Sequence, residues 1–289
     1  MSVRALKLGY IGTLVVLTLV RSFAAGATNG VTALPNPDAI FDEANSFFAR
    51  YKQAAAQWRE RRNSEAALTM ELLARNLKSS PWFEIALLKQ SELIELSNDR
   101  YAMDNYELLA QRVQKAPYFQ SRADKATLFG VALQGAARNG INRIRARRIR
   151  EALDRYFLRY REYPESLAKL AILDYIGMEN IHTADDKPFR YVPTGQQLSP
   201  FLSYKRYEGL ETIGVEPFVV SNPRLEGTTR VSDEPLKYGA VMRLAGQREE
   251  VRIVEEQNVR GFVVLAIAPK GVILCNDQRI LVLLPAADQ

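Results

Sequence analysis

Glu71-Leu72-Leu73-Ala74-Arg75-Asn76-Leu77-Lys78-Ser79-Ser80-Pro81-Trp82-Phe83 returns 36 residues later as Glu107-Leu108-Leu109-Ala110-Gln111-Arg112-Val113-Gln114-Lys115-Ala116-Pro117-Tyr118-Phe119. Six of the thirteen positions are identical. Each copy reads as the end of one helix, a proline, and an aromatic pair that opens the next helix. Proline suits the first turn of a helix, where its missing N–H has no partner to lose. The aromatic pair can then pack back on the preceding helix. This repeat makes residues 38–141 a helical domain of hairpins.

Upstream, Asp38 precedes Ile40-Phe41, and Phe47, Phe48 and Tyr51 continue an apolar stripe at helical spacing. Asn63-Ser64-Glu65 starts the next helix, with Leu68, Leu72 and Leu73 expected on its inner face. Helix–turn–helix units with a period of about 34 residues resemble the tetratricopeptide repeat family. The resemblance covers residues 64–137 and implies a stacked scaffold whose concave face holds a peptide or a partner helix. The Trp and Gly-Tyr positions of the family's first helix are not evident, and an ordinary helical bundle stays open as the other reading.

Downstream, Arg143, Arg145, Arg147, Arg148 and Arg150 fall within eight residues, and Arg138, Arg155, Arg159 and Arg161 extend the charge. Ile141, Ile144, Ile149 and Leu153 supply an apolar stripe between them. The pattern predicts an amphipathic helix with a strongly cationic outer surface. Arg143, Arg147, Arg148 and Arg150 are candidate contacts for an acidic partner or an anionic membrane surface. The plainer alternative is a solvated helix face.

The chain then reads Glu151-Ala152-Leu153-Asp154-Arg155-Tyr156, Tyr163-Pro164-Glu165-Ser166-Leu167-Ala168-Lys169-Leu170 and Asp185-Asp186-Lys187-Pro188-Phe189-Arg190-Tyr191-Val192-Pro193-Thr194-Gly195. Tyr163-Pro164 ends the long helix. Phe189 to Val192 reads as a strand with Phe189 and Tyr191 on one face. This order looks like the soluble part of type II secretion pseudopilins, in which a long helix leads to a short helix and a β-hairpin. The resemblance covers about 50 residues of residues 142–198. A prepilin-peptidase site and its glutamate are lacking, so the chain is not expected to be a pilin subunit. Family members bind calcium near the hairpin, but Asp185 and Asp186 fall short of the roughly six to eight oxygens such a site wants.

Residues 199–236 hold Pro200, Pro217, Asn222-Pro223, Gly227 and Pro235, and read as an irregular linker with short strands. Residues 237–287 alternate as β: Val241-Met242-Arg243-Leu244, Glu250-Val251-Arg252-Ile253, residues 261–268, Gly271-Val272-Ile273-Leu274-Cys275 and residues 279–284. Pro269-Lys270-Gly271 and Asn276-Asp277-Gln278 are turns. Four or five short strands imply a small all-β barrel or sandwich. The order is similar to the periplasmic homology domain of type II secretion and type IV pilus inner-membrane components, a likeness that implies contact with other proteins of the machine. An edge strand carrying Val251 and Ile253 is the candidate for adding a partner's strand.

The 289 residues carry a net charge of +6, one cysteine and one histidine. A lone Cys275 allows no intrachain disulfide, and with only His182 a site built from His and Cys clusters is excluded. The adjacent carboxylates Asp185-Asp186, Glu249-Glu250 and Glu255-Glu256 point to opposite faces if extended, so none makes an acid–base dyad. No enzyme, cofactor or metal is expected. At the N-terminus Arg4 and Lys7 precede an apolar run over residues 8–20, stopped by Arg21 and followed by Ala25-Gly26-Ala27. That is the order of a signal peptide over residues 1–27, the run being shorter than the roughly 20 residues a spanning helix needs. A retained inner-membrane anchor through residues 8–27 is the alternative.

The expected fold class is α+β: a helical-repeat half, a helix-plus-hairpin unit and a small β domain. The expected function is a non-enzymatic periplasmic or envelope interaction protein, part of a type II secretion or type IV pilus-like system, with other envelope proteins and no nucleic acid as partners. The alternative is a generic exported tetratricopeptide-like scaffold.

Overall fold

Among the described residues six helices are followed by eleven short strands in a mixed α+β order. A computed structural model describes residues 37–77, 82–115, 125–194, 197–199, 202–203, 207–211, 214–215, 217–219, 223–233, 236–244 and 249–286. The expected export segment and the two repeat prolines lie outside the described residues. Asp38–Gln289 forms one compact unit.

Helix α1 (Pro37–Arg59) opens on its proline and buries Phe47, Phe48, Tyr51, Ala54 and Ala55 at spacings of three and four. Helix α2 (Asn63–Asn76) buries Ala66, Met70, Leu73 and Ala74. The inner face expected there is corrected. Leu73 is 3% exposed, but Leu68 and Leu72 are 53% and 50% exposed. Alanines at 66, 67 and 74 fill the inward positions and admit close packing. The larger leucines are left on the far side.

Helix α3 (Trp82–Ile94) is buried on almost every side and carries Glu84, Lys89, Gln90 and Ser91 inside. Helix α4 (Asp99–Lys115) starts where Asn98 Oδ1 accepts the Tyr101 N–H at 3.1 Å, a side-chain cap of an orphan donor. Helix α5 (Lys125–Tyr160) runs 36 residues, about 54 Å at 1.5 Å per residue. Its first half gives Phe129, Leu133, Ala137 and Ile144 to the cluster built by α1–α4. Its second half gives Ile149, Leu153 and Tyr156 to a separate cluster.

That second cluster is the unit after α5. It holds α6 (Leu167–Ile172), a 3-10 turn (Met178–Ile181) and β1 (Val192–Pro193) paired antiparallel with β4 (Tyr207–Glu208). The strand expected at 189–192 is paired only from Val192. Before it, Phe189 donates its N–H to Ile181 O at 3.1 Å, and His182 bridges Pro188. Proline removes a ladder donor at 188, which cuts the pairing short. Phe189 and Tyr191 both pack on the cluster. Two further strands, β2 (Gln197–Ser199) and β3 (Leu202–Ser203), form their own pair.

The rest is two antiparallel sheets. One has the order β5-β6-β7, from β5 (Arg224–Asp233), β6 (Leu236–Arg243) and β7 (Glu250–Ile253). The other has the order β11-β10-β9-β8, from β8 (Asn258–Val259), β9 (Phe262–Ala268), β10 (Gly271–Cys275) and β11 (Ile280–Leu283). The ten-residue β5 falls in the stretch expected to be irregular. Register shifts beside Gly227 and Val231 break the alternation that marks a strand in sequence.

Strands β10 and β11 are buried on both faces. Ile273, Cys275, Ile280 and Val282 pack into the helical cluster, while Val272, Leu274, Leu281 and Leu283 join Leu225, Met242 and Ile253 of the other sheet. The two-residue period of a strand sorts these side chains between two cores. The turn between β10 and β11 reaches α5 at Gly135. A Cβ there would lie 1.8 Å from Asp277 O, so only glycine admits this approach.

Candidate functional site

The arginine run lies in the middle of α5. None of Arg143, Arg145, Arg147, Arg148 and Arg150 is fully exposed. Over residues 143–150 the cationic outer surface expected from the sequence is a partly buried seam, while Arg155, Arg159 and Arg161 stay exposed.

Arg143 faces the end of α3. Its Nη2 donates to Glu95 Oε2 at 2.8 Å and to the Tyr106 hydroxyl at 3.2 Å, and its Nε donates to Glu95 Oε2 at 3.1 Å. Tyr106 donates its own hydroxyl to Glu95 Oε2 at 3.0 Å. Burial acts against the charged guanidinium, but the Glu95 hydrogen bond and neighbouring negative groups outweigh it and raise the Arg143 pKa further. Burial holds the Tyr106 hydroxyl well above its ordinary value, with Glu92 adding to the effect.

The other guanidiniums tie α5 to main chain and side chains on three further segments. Arg147 Nη2 donates to Glu95 O at 2.7 Å. Arg148 Nε donates to Asp99 Oδ2 at 2.8 Å, and its Nη1 to Asn180 Oδ1 at 3.1 Å. The Arg148 hydrogen bond is the main reason the Asp99 carboxyl sits below its ordinary value. Arg145 Nη1 donates to His182 O and Thr183 O, both at 3.0 Å. Arg150 Nη2 donates to Leu210 O. Arginine suits this work because its five N–H donors are fixed in a planar fork and it keeps its charge when buried.

Sequence reasoning found the arginines and missed what they hold. Glu95, Asp99, Tyr106 and Asn180 are ordinary residues in their own segments. They meet α5 across 32 to 52 residues of chain. The candidates Val251 and Ile253 also divide. Ile253 is buried in the core shared by the two sheets, and Val251 is half-buried beside it. Their strand β7 pairs with β6 on one side and is the edge of its sheet on the other.

Asp185 is engaged by Arg138 at 2.9 Å. Among the described residues no group of three or more His, Cys, Asp and Glu stands where it could hold a metal. Cys275 is buried, which pushes its thiol up to about 11. No helix of the described residues is long and apolar enough to cross a membrane.

No family model matches this chain, and no curated protein and no solved structure matches it either.

Proposed function

We propose that the chain is a non-enzymatic periplasmic or envelope interaction protein, an assembly or structural component of a type II secretion or type IV pilus-like system. The observation that carries the reading is the order of parts after residue 124. A long helix, a short helix and a small antiparallel strand pair follow one another around their own apolar cluster, as the pseudopilin-like motifs over residues 151–195 imply. The export-type residues at the N-terminus support the location, with attachment through residues 8–27 as the alternative to release. On this reading residues 38–141 are a tetratricopeptide-like scaffold, residues 142–198 the pseudopilin-like unit, and residues 237–287, with β5 paired to them from the preceding stretch, a small barrel or sandwich. The edge of β7, which has no partner strand among the described residues, then offers main-chain N–H and C=O groups to a partner strand, with Val251 beside it and Ile253 as its buried anchor. The arginines hold α5 to the segments at Glu95, Asp99, Asn180 and Leu210 rather than reaching a partner themselves.

Cross-linked membranes of the source cell, captured through a tagged full-length chain, test the reading. Recovery of a secretin, a pilin or an inner-membrane assembly protein is the expected result. Their consistent absence sinks it.

A second reading, an exported scaffold with no secretion role, has its own support. Leu72 and Leu108 hold the same place in the two repeat copies and are both exposed, while their neighbours Leu73 and Leu109 are both buried. A gene deletion that leaves secretion and piliation intact favours this alternative.

A further inference from the structure

A pocket opens where α3, α5 and the turn between β10 and β11 meet, lined by Lys89, Glu92, Asn139, Arg143, Gln278 and Arg279. The Lys89 side chain is only 3% exposed. Its ammonium carries three N–H donors, and one acceptor answers them among the described residues, Glu92 Oε2 at 2.8 Å. Arg143 directs Nε and Nη2 to Glu95 and Tyr106, and its Nη1 makes no hydrogen bond among the described residues. The half-buried guanidinium of Arg279 has no partner among the described residues, although its main chain is fixed by Asn276 Oδ1 at 2.7 Å. Glu92 answers Lys89 and Glu95 answers Arg143, so among the described residues one positive charge and several N–H donors line the pocket without an acceptor.

Charge withdrawn from water costs free energy unless it is paired. We propose that this pocket binds one small monovalent anion, a halide or a simple carboxylate, between Lys89, Arg143 and Arg279. The charge of the site selects the class. One positive charge is left over among the described residues, so a monovalent anion balances it and a divalent one would leave negative charge unpaired. The anion sits beside the Asn139 Nδ2 to Gln278 O hydrogen bond, 3.1 Å long. It therefore ties the long helix to the turn that links two buried strands.

The test is chloride-35 line broadening on the full chain, with chloride titrated against gluconate at constant ionic strength. The wild type is expected to broaden the chloride line, and formate to reverse the broadening by competition. Arg279→Gln removes a half-buried group that supports nothing else, and is expected to weaken chloride by about tenfold or more, the scale of one charge-assisted hydrogen bond. Arg279→Lys keeps the charge and is expected to fall between the two. A wild type that gives no formate-reversible broadening overturns the proposal. So does an Arg279→Gln variant, folded by circular dichroism, that binds chloride as the wild type does.

Discussion

Arg143 of the long helix grips Glu95 through two nitrogens, with Nη2 2.8 Å and Nε 3.1 Å from the same carboxylate oxygen. Their side chains are 10% and 2% exposed. Both groups have left water, and removing Arg143 leaves Glu95 only the Tyr106 hydroxyl and the more distant Arg147. Arg143→Met is expected to cost about 3–5 kcal/mol, read from urea unfolding. Arg143→Met combined with Glu95→Gln is expected to cost less than the two single changes added together. Strict additivity would show that the pair does not act as a unit.

Asp99 gives a pH dependence with a defined sign. Its carboxyl is held below the ordinary 3.8 by the Arg148 hydrogen bond, so the folded chain takes up this proton less readily than the unfolded one. The pair's contribution is complete above the unfolded value and is lost as pH falls through the folded value. Asp99 is partly exposed, so solvent screening keeps the effect small. The stability gap between wild type and Asp99→Asn is expected to be steady near about pH 6 and to close near about pH 2. A gap that widens on acidification would reverse the assignment.

Neighbouring leucines in the two repeat copies separate core from surface. Leu73→Ala and Leu109→Ala remove buried side chains and are expected to cost about 2–5 kcal/mol each. Leu72→Ala and Leu108→Ala are expected to stay within about 0.5 kcal/mol. Thermal or urea unfolding of the four variants checks both halves of the contrast.

Gly135→Ala places a methyl group against the Asp277 carbonyl, and main chain must move to relieve the clash. The expected loss is about 1–3 kcal/mol, the range for overpacking. Hydrogen exchange on the same variant is expected to rise at β10 and β11 before it rises at α2. Uniform loosening of the chain would argue against a local role for the glycine.

Much of the architecture is legible in the residues because periodicity is a local property. Phe47, Phe48 and Tyr51 announce α1, and Gly271 to Cys275 announces a buried strand. The inner face of α2 is misread because large leucines draw attention that the small alanines deserve by position. The arginine seam is misread for a different reason. A charged helix face looks the same whether water or a distant carboxylate covers it, and Glu95 lies 48 residues from Arg143. Strand β5 is hidden by register shifts that spoil its alternation. The anion pocket has no local signal at all, since Lys89, Arg143 and Arg279 come from three separate parts of the chain.

The sharing of β10 and β11 between two cores sets an order of events during synthesis. A chain that emerges N-terminus first presents Phe47, Phe48 and Tyr51 early. The strands that seal them, Ile273 to Leu284, emerge more than 200 residues later. The side of the helical cluster that Ile273, Cys275, Ile280 and Val282 cover therefore stays open until those strands are made. Removal of β11 would uncover the same side in a finished molecule.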